Sequence, residues 1–364
     1  MTLESILTQM IRQEGPVSMA RFMQEALSHP TYGYYQVRDP FGVAGDFITA
    51  PEVSQVFGEL MGIWCAVTWQ QMGSPDELIL VEMGPGRGTL MKDLLRGTRH
   101  IPGFHRALSV HLIETSPHLT KMQQQELKGA HDLDITWHTT FETVPPKRML
   151  FVANELFDAL PIYQYIKTAQ GWQEKHIGLA AENNALEEVI LPAVPIMQVT
   201  LEKTYLDAKD GSVVELCPAG QRLIQEISNH LATHGGAALI VDYGYGEVSF
   251  RSTLQAVKSH QYHPLLKDIG QADITAHVNF GALKQYAKAS GVNAYGPITQ
   301  SELLSALGIE TRMQMLLEKV GGIQKQELLT GIKRLIHPEQ MGELFKAIAL
   351  TEKTMPAPIG FDEG

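Results

Sequence analysis

Three things are scarce in this sequence: cysteine, clustered basic residues and long apolar runs. Two cysteines, Cys65 and Cys217, occur in 364 residues. Each lies in an apolar segment, which excludes a disulfide framework and predicts buried thiols in a reducing compartment. The net charge is −11 without a cluster of Lys and Arg, which argues against nucleic-acid binding because phosphate neutralisation needs grouped cations. The longest apolar stretch, Leu60 to Trp69, is far shorter than the ~20 residues that cross a bilayer, so no membrane insertion is expected.

The amino-terminal residues do not follow a targeting pattern. Glu4 and Glu14 flank an amphipathic stretch, whereas a signal peptide has a uniformly apolar stretch and a transit peptide has few acidic residues. We therefore expect neither. With 44% hydrophobic and 19% charged residues, the chain has the composition of a folded protein with a full core.

From Leu78 onward, apolar runs typical of buried strands alternate with helical patterns that begin near Arg87, Pro117 and Phe141. This alternation predicts an α/β protein with a doubly wound, mostly parallel sheet, and two late strands are expected to close it antiparallel. The predicted strands are Leu78–Met83, Val110–Glu114, Ile135–His138, Met149–Asn154, Ala237–Tyr243, Val292–Ile298 and Phe345–Leu350.

The same patterns divide the chain into segments. Residues 1–75 are predicted to form a helical extension with a lid loop, whose third helix runs from about Glu52 to Met72. Residues 76–298 are the predicted core, interrupted near 163–211 by an inserted set of hairpins. A helical insertion is expected over 299–344, followed by the final strand and tail over 345–364.

The segment from Val81 to Gly88 is the most informative part of the chain. A buried strand ends in Glu82 and is followed by Gly84, Pro85, Gly86 and Gly88. Glycines let a ligand approach the backbone, and a helix start offers unpaired N–H groups to an anionic group. The spacing G-x-G-x-G differs from the dinucleotide motif and lacks the lysine of a P-loop. The spacing favours a loop that binds a ligand with a carboxylate and a ribose but no phosphate, and S-adenosylmethionine is the commonest such ligand. The alternative is a turn that contains glycine for steric reasons alone.

Two further positions complete the predicted cofactor site. Glu114 ends the second predicted strand, where a carboxylate can accept hydrogen bonds from both ribose hydroxyls of a ligand lying across the strand ends. The alternative for Glu114 is a solvated strand end. Thr49 lies near the N-cap of the helix before the core and is predicted to contact the same ligand.

The end of the fourth predicted strand is the candidate catalytic region. Asn154, Glu155 and Asp158 offer an amide and two carboxylates there. Carboxylates bind a guanidinium through bidentate hydrogen bonds. They can also help remove the proton that an arginine must lose when its nitrogen is methylated. The alternative for Asp158 is the cap of a short helix.

Other polar positions carry weaker signals. Asp46 and Phe47 are candidates for a lid over the ligand or for a structural turn, and Asp242 ends the fifth predicted strand, where it could order the pocket. His230 and His234 are four residues apart, but without a third ligand they favour a surface pair over zinc, so no metal is expected.

Five motifs occur in order and together resemble the MidA family: GDFITAPE (45–52), VEMGPGRGTL (81–90), NELFDALP (154–161), VDYGY (241–245) and ADITAHVNF (272–280). The resemblance implies a class I S-adenosylmethionine-dependent methyltransferase with a seven-stranded sheet. It implies Gly84, Gly86 and Gly88 as cofactor contacts and Glu155 as the group that grips arginine.

The family includes a mitochondrial arginine methyltransferase that supports respiratory complex I assembly. The expected partner is therefore an arginine-bearing protein, for example a complex I subunit. The absence of a presequence suggests a bacterial, cytoplasmic member. Two other functions stay open at this point. One is methylation of a small molecule, and the other is an assembly chaperone that binds cofactor and partner with little turnover.

Overall fold

The computed structural model describes residues 2–37, 49–130 and 132–361. The chain divides into two compact units. Unit 1 contains the described parts of 1–40 with 158–221 and 247–277, and unit 2 contains the described parts of 41–157 with 222–246 and 278–361. Both units combine segments that are far apart in sequence, and the predicted segment boundaries stay predictions.

The α-helices of the described residues are α1 (Leu3–Glu14), α2 (Met19–Ser28), α3 (Tyr34–Val37), α4 (Ala50–Val53), α5 (Gln55–Gln71), α6 (Thr89–Thr98), α7 (Phe104–Ala107), α8 (Pro117–Glu126), α9 (Pro195–Thr204), α10 (Pro218–His234), α11 (Phe280–Ala289), α12 (Gln300–Ala306), α13 (Ile309–Leu317) and α14 (Gly322–Ile336). The strands are β1 (Val17–Ser18), β2 (Leu78–Met83), β3 (Leu108–Ile113), β4 (Asp134–His138), β5 (Met149–Asn154), β6 (Tyr163–Thr168), β7 (Gly171–Leu179), β8 (Leu186–Pro192), β9 (Val213–Leu216), β10 (Gly236–Tyr245), β11 (Gln255–Lys258), β12 (Gln261–His263), β13 (Asp273–Thr275), β14 (Val278–Asn279), β15 (Asn293–Thr299) and β16 (Phe345–Thr351).

Unit 2 is built on one large sheet with the strand order β15-β16-β10-β5-β2-β3-β4. The strands from β10 to β4 are parallel, whereas β16 lies antiparallel between β10 and β15. The short β14 also pairs with β10. This sheet confirms the predicted doubly wound fold, and the seven predicted strands differ from the observed ones by at most two residues at either end.

The apolar runs explain why these segments form the centre of the sheet. Leu78 to Val81 of β2 and Met149 to Ala153 of β5 are all buried, as expected for parallel strands covered on both faces. Their carboxyl ends lie side by side because the register pairs Glu82 with Val152. Polar residues that follow β2 and β5 are thereby brought to one edge of the sheet.

Three helix predictions need correction. The helix predicted from about Glu52 to Met72 is two helices, because Ser54 is extended and its hydroxyl accepts the Val56 N–H at 3.3 Å as the cap of α5. The helix predicted near Arg87 begins at Thr89, since Gly88 has a left-handed backbone. Near Phe141 there is only a three-residue 3-10 turn, and Pro145 and Pro146 then prevent a longer helix.

Unit 1 contains a separate antiparallel sheet. Strands β1, β7, β6 and β9 follow one another in it, and β8 pairs with the other edge of β7. Residues 163–211 thus form the predicted hairpins, with α9 in addition. Helices α1 and α2 bury Leu7, Phe22 and Met23 in one apolar cluster with Ile177 of β7. No helix in the described part of the chain has the length and apolarity needed to cross a membrane.

Candidate active site

The carboxyl ends of β2 and β5 open onto a pocket in unit 2. Its lining comes from the start of α4, the glycine loop after β2, the start of α6 and the residues at the end of β5. The lining residues are Thr49, Pro51, Glu52, Glu82, Gly84, Pro85, Gly86, Arg87, Thr89, Leu90, Asn154 and Glu155. The fold therefore brings together seven of the predicted site residues from three separate parts of the sequence.

The glycine loop has a backbone that other residues adopt only with strain. Gly84, Gly86 and Gly88 have φ angles of +71°, +55° and +89°, all in the left-handed region that favours glycine. A Cβ atom on Gly84 would lie 2.9 Å from Cδ1 of Leu156. Gly88 is the N-cap of α6, and its N–H donates to the Pro85 carbonyl at 2.8 Å. Gly88 does not line the described pocket. The left-handed backbone at the start of α6 explains why a glycine is present at this position.

Glu82 is the most unusual group in the pocket. Its side chain is 2% exposed, and its Oε2 has no hydrogen-bond partner among the described residues. Burial, with a smaller contribution from the charge of Glu114, raises the pKa of Glu82 to about 8. Buried polar atoms in proteins are nearly always hydrogen-bonded, so Glu82 Oε2 is suited to a hydrogen-bond donor on a bound molecule.

Glu114 lies beside the glycine loop and is linked to it by Gln123. The Gln123 amide donates to the Gly86 carbonyl at 2.8 Å and to Glu114 Oε2 at 3.1 Å. The other oxygen of Glu114 accepts the Ser116 N–H at 2.7 Å. Burial raises the pKa of Glu114, although both of these hydrogen bonds act against that shift. Glu114 is therefore an ordered carboxylate and not the freely solvated strand end of the alternative interpretation.

Glu155 has a strained backbone at the end of β5, with φ of +50°. Its N–H donates to the Val241 carbonyl at 2.9 Å. Its Oε1 accepts the Ala50 N–H at 2.9 Å and the Asn154 amide at 3.0 Å, whereas Asn154 Oδ1 is buried and has no hydrogen-bond partner among the described residues. Strain of this kind is common at functional sites, and the two bonds to Oε1 orient the carboxylate.

Asp242 supports this region without being part of the described lining. It is fully buried, and its Oδ2 accepts the N–H groups of Leu156 at 3.1 Å and Phe157 at 2.9 Å. Its Oδ1 accepts the Tyr243 N–H at 2.8 Å. Asp242 thus holds the backbone that follows Glu155, which agrees with the expectation that it orders the pocket.

Asp158 belongs to unit 1. The described residues that follow Asn154 form turns and bends instead of a helix, so the alternative of Asp158 as a helix cap is wrong. Asp158 is 6% exposed. Burial raises the pKa of Tyr35, and the charges of Asp273 and then Asp158 add smaller contributions. The Tyr35 hydroxyl donates to Asp273 at 3.1 Å. The catalytic role of Asp158 stays a prediction.

The remaining predicted positions are Thr49, the lid candidates Asp46 and Phe47, and the histidine pair. Thr49 is the N-cap residue of α4 without a side-chain cap bond, and it lines the pocket. Asp46 and Phe47 lie outside the described residues. The rings of His230 and His234 are 4.9 Å apart, and His230 Nε2 donates to the Lys147 carbonyl at 2.8 Å. Across residues 2–37, 49–130 and 132–361, no three or more metal-ligating side chains are grouped.

Four polar residues in or beside the pocket lining were not identified from the sequence: Glu52, Arg87, Thr89 and Gln123. Glu52 Oε1 accepts the Thr89 hydroxyl at 2.6 Å, and its Oε2 lies 3.7 Å from Arg87 Nη1. Gln123 follows the buried Leu119 by four residues on α8 and is itself buried. A glutamine on the apolar face of a helix is the signal that could have identified it.

A glycine loop and a pocket at the carboxyl ends of a doubly wound sheet define the class of α/β enzymes that bind nucleotide or nucleoside ligands at this edge. Within this class, the chain is similar to known methyltransferases. Residues 60–298 match the model of a family described as S-adenosyl-L-methionine-dependent methyltransferases. This match covers more than half of the chain, and the chain therefore belongs to that family.

Relatives that align with nearly the whole chain are also named methyltransferases. The mitochondrial protein arginine methyltransferase NDUFAF7 of Danio rerio is 39% identical, over 91% of this chain and 82% of its own length. The protein of the same name in Homo sapiens is 36% identical, over 93% of this chain and 81% of its own length. A crystal structure from Burkholderia thailandensis, bound to S-adenosyl-homocysteine, has a TM-score of 0.88 at 27% identity and covers 100% of this chain and 95% of that one. The resemblance predicted from the motifs is confirmed.

The pocket fits the cofactor of this family. Glu82 Oε2 and Asn154 Oδ1 are buried acceptors in the lining without a partner among the described residues. S-adenosylmethionine carries ribose hydroxyls and an ammonium group, which are hydrogen-bond donors. When bound, this cofactor supplies an electrophilic methyl group on a sulfonium sulfur.

Proposed function

We propose that this protein transfers a methyl group from S-adenosylmethionine to a guanidinium nitrogen of an arginine in another protein. The observation that carries the proposal is the oriented carboxylate of Glu155 in the same pocket as the glycine loop. The curated relatives, which are named protein arginine methyltransferases, support arginine as the acceptor.

The glycine loop and the residues next to it form the cofactor half of the proposed site. We assign Glu82, Gly84, Pro85, Gly86 and Thr49 to direct contact with the cofactor, because all of them line the pocket. Gly88 and Glu114 are assigned to the same half of the site, since Gly88 sets the start of α6 and Glu114 is joined to Gly86 through Gln123.

The acceptor side requires a group that binds a cation and takes up a proton. A guanidinium is protonated at neutral pH, and it must lose one proton as its nitrogen forms a bond to the methyl carbon. The Glu155 carboxylate is suited to both tasks, because it can hold the guanidinium by charge-assisted hydrogen bonds and accept the proton. Asn154 donates to Glu155 Oε1 and in this way positions the carboxylate.

The proposed identity of the acceptor protein is supported by the names of the relatives. The name NDUFAF7 of the relatives supports the prediction of a respiratory complex I subunit as the substrate. These relatives are named mitochondrial, whereas a cytoplasmic location in a bacterium remains the prediction for this chain. The net charge of −11 is compatible with a basic segment around the acceptor arginine.

The proposal is tested by mass spectrometry of methylated arginine in cells that have or lack this protein. We expect at least one arginine to lose its methyl mark in the deletion strain, and the wild-type gene to restore it. The Glu155→Gln variant should bind S-adenosylhomocysteine like the wild type, because Glu155 is assigned to the acceptor, but should not restore the mark. The exposed Glu182→Gln change is the matched control and should restore it fully.

Two outcomes would contradict the proposal. Full restoration by Glu155→Gln would remove Glu155 from the reaction. Unchanged arginine methylation in the deletion strain, with cofactor binding intact, would instead favour another acceptor or the chaperone alternative.

A further inference from the structure

The charges in the pocket lining are unequal. Glu52 and Glu155 are acidic, and Arg87 is the one basic side chain that the described residues contribute to this lining. Glu82 adds no charge at neutral pH, because burial raises its pKa to about 8. The methionine part of the cofactor carries a positive sulfonium, a positive ammonium and a negative carboxylate. Acidic side chains favour the two cationic groups, but they repel the carboxylate. The carboxylate therefore needs a cation or a set of backbone N–H groups.

Arg87 supplies a cation to the pocket lining, in the loop that leads into α6. It lies between Gly86 and Gly88, two glycines with left-handed backbones, directly before α6. Its side chain is 30% exposed, and its Nη1 lies 3.7 Å from Glu52 Oε2. This separation is longer than a hydrogen bond, so Glu52 attracts the guanidinium without a hydrogen bond between these two atoms.

The orientation of Glu52 depends on a second residue. The Thr89 hydroxyl donates to Glu52 Oε1 at 2.6 Å, which joins α4 to the first residue of α6. Glu52 is thus ordered by Thr89 on one oxygen and faces Arg87 with the other. A guanidinium presents planar pairs of N–H donors that match a carboxylate.

We propose that Arg87 binds the carboxylate of the cofactor's methionine part and that Glu52 is a positioning residue for Arg87. The inference rests on the cofactor half of the proposed function and is independent of arginine as the methyl acceptor. It predicts that the enzyme recognises a free amino-acid carboxylate through a side chain, whereas a backbone-only site at the helix start would not need Arg87.

The test compares two ligands by isothermal titration calorimetry on the full chain. S-adenosylmethionine has the carboxylate, and decarboxylated S-adenosylmethionine keeps the sulfonium and the amine without it. We expect Arg87→Met to weaken the binding of S-adenosylmethionine by about 10- to 100-fold, which corresponds to the free energy of a hydrogen bond to a charged group. Binding of the decarboxylated ligand should be unchanged or tighter, because the variant lacks a charge that repels this dication.

Two further variants make the result specific. Lys92→Met removes a cation from the exposed side of α6, where Lys92 pairs with Glu126, and should leave both affinities unchanged. Arg87→Lys keeps the charge but not the planar donor pair, so it should retain part of the preference for the carboxylate. Circular dichroism of each variant checks that the fold is intact.

The outcomes separate this inference from the proposed function. Equal weakening of both ligands by Arg87→Met would overturn the inference, because it would indicate a general change in the loop. Unchanged binding of S-adenosylmethionine by Arg87→Met would overturn it in favour of backbone N–H groups. In both cases the proposed function stands, whereas a wild-type protein that binds neither ligand would overturn both.

Discussion

The carboxylate of Asp242 accepts the backbone N–H of Phe157 at 2.9 Å. The same oxygen accepts the Leu156 N–H at 3.1 Å, so one buried side chain of β10 holds the backbone directly after Glu155. The position of Glu155 therefore depends on a residue that is distant in sequence and lies in the neighbouring strand of the sheet.

The first prediction concerns this contact. Asp242→Asn replaces one acceptor oxygen by an amide nitrogen that faces backbone N–H groups, which leaves donors without an acceptor. We expect unfolding to become easier by roughly 1–3 kcal/mol, measured as a lower urea midpoint, and S-adenosylhomocysteine to bind less tightly. The exposed Asp207→Asn change is the control and should alter neither. An unchanged midpoint in Asp242→Asn would show that these bonds do not hold the segment.

The second prediction separates the ligand contact of the glycine loop from its backbone strain. Gly86→Val places a branched side chain in the pocket lining at a φ of +55°. Gly73→Val introduces a similar left-handed strain at φ +84°, where a Cβ has no neighbour within 4 Å. Both variants should lose about 1–3 kcal/mol of stability, but only Gly86→Val should abolish S-adenosylhomocysteine binding in calorimetry. Retained binding in Gly86→Val would place the ligand elsewhere.

The third prediction is a pH dependence caused by Glu82. Its pKa is about 8 in the folded protein and its ordinary value is 4.5, so between these values the folded state holds a proton that the unfolded state has lost. Stability from this group therefore falls as the pH rises through that range. We expect the urea midpoint to decrease less between pH 5 and pH 9 in Glu82→Gln than in the wild type.

Exposed Glu187→Gln serves as the control for this measurement. The urea midpoint of Glu187→Gln should decrease between pH 5 and pH 9 by the same amount as that of the wild type. The same decrease in Glu82→Gln would show that Glu82 ionises normally in the folded protein.

The fourth prediction concerns the helices before the last strand. Arg312 of α13 donates to both oxygens of the buried Glu59 on α5, at 2.7 and 3.0 Å, and Arg96 of α6 donates to the same carboxylate at 2.9 Å. Glu59→Gln removes the shared negative charge, and because both arginines are partly exposed we expect a loss of roughly 1–3 kcal/mol in urea unfolding. Glu126→Gln breaks the exposed pair with Lys92 and should cost at most about 1 kcal/mol. Equal losses would contradict the bridging role of Glu59.

Much of the fold could be predicted because the central strands are buried on both faces. Such strands need continuous apolar residues, and the runs at Leu78–Met83 and Met149–Asn154 have the predicted bounds. The helix predicted near Phe141 was wrong because the local pattern did not distinguish one helical turn from a longer helix. The break at Ser54 was missed for a similar reason, since a capping serine inside an apolar run resembles a surface residue.

The site was predictable only in part. The sequence pointed to Glu82, Gly84 and Gly86, which line the candidate pocket, because a loop that lacks Cβ atoms has its own sequence pattern. Arg87, Glu52 and Gln123 were missed because their importance depends on what lies across the pocket or beside the loop. Gln123 is an ordinary helix residue until the fold brings it to Gly86 and Glu114.

The sequence by itself determined the order of strands and helices along the chain, the glycine loop and the acidic residues at four strand ends, because burial and backbone conformation act on neighbouring residues. The tertiary structure alone decided which oxygens are satisfied and which face the pocket. It ties Glu155 to Ala50 and leaves Glu82 Oε2 without a partner among the described residues. Hydrogen bonds between distant segments depend on how the strands pair, and local sequence patterns do not contain that information.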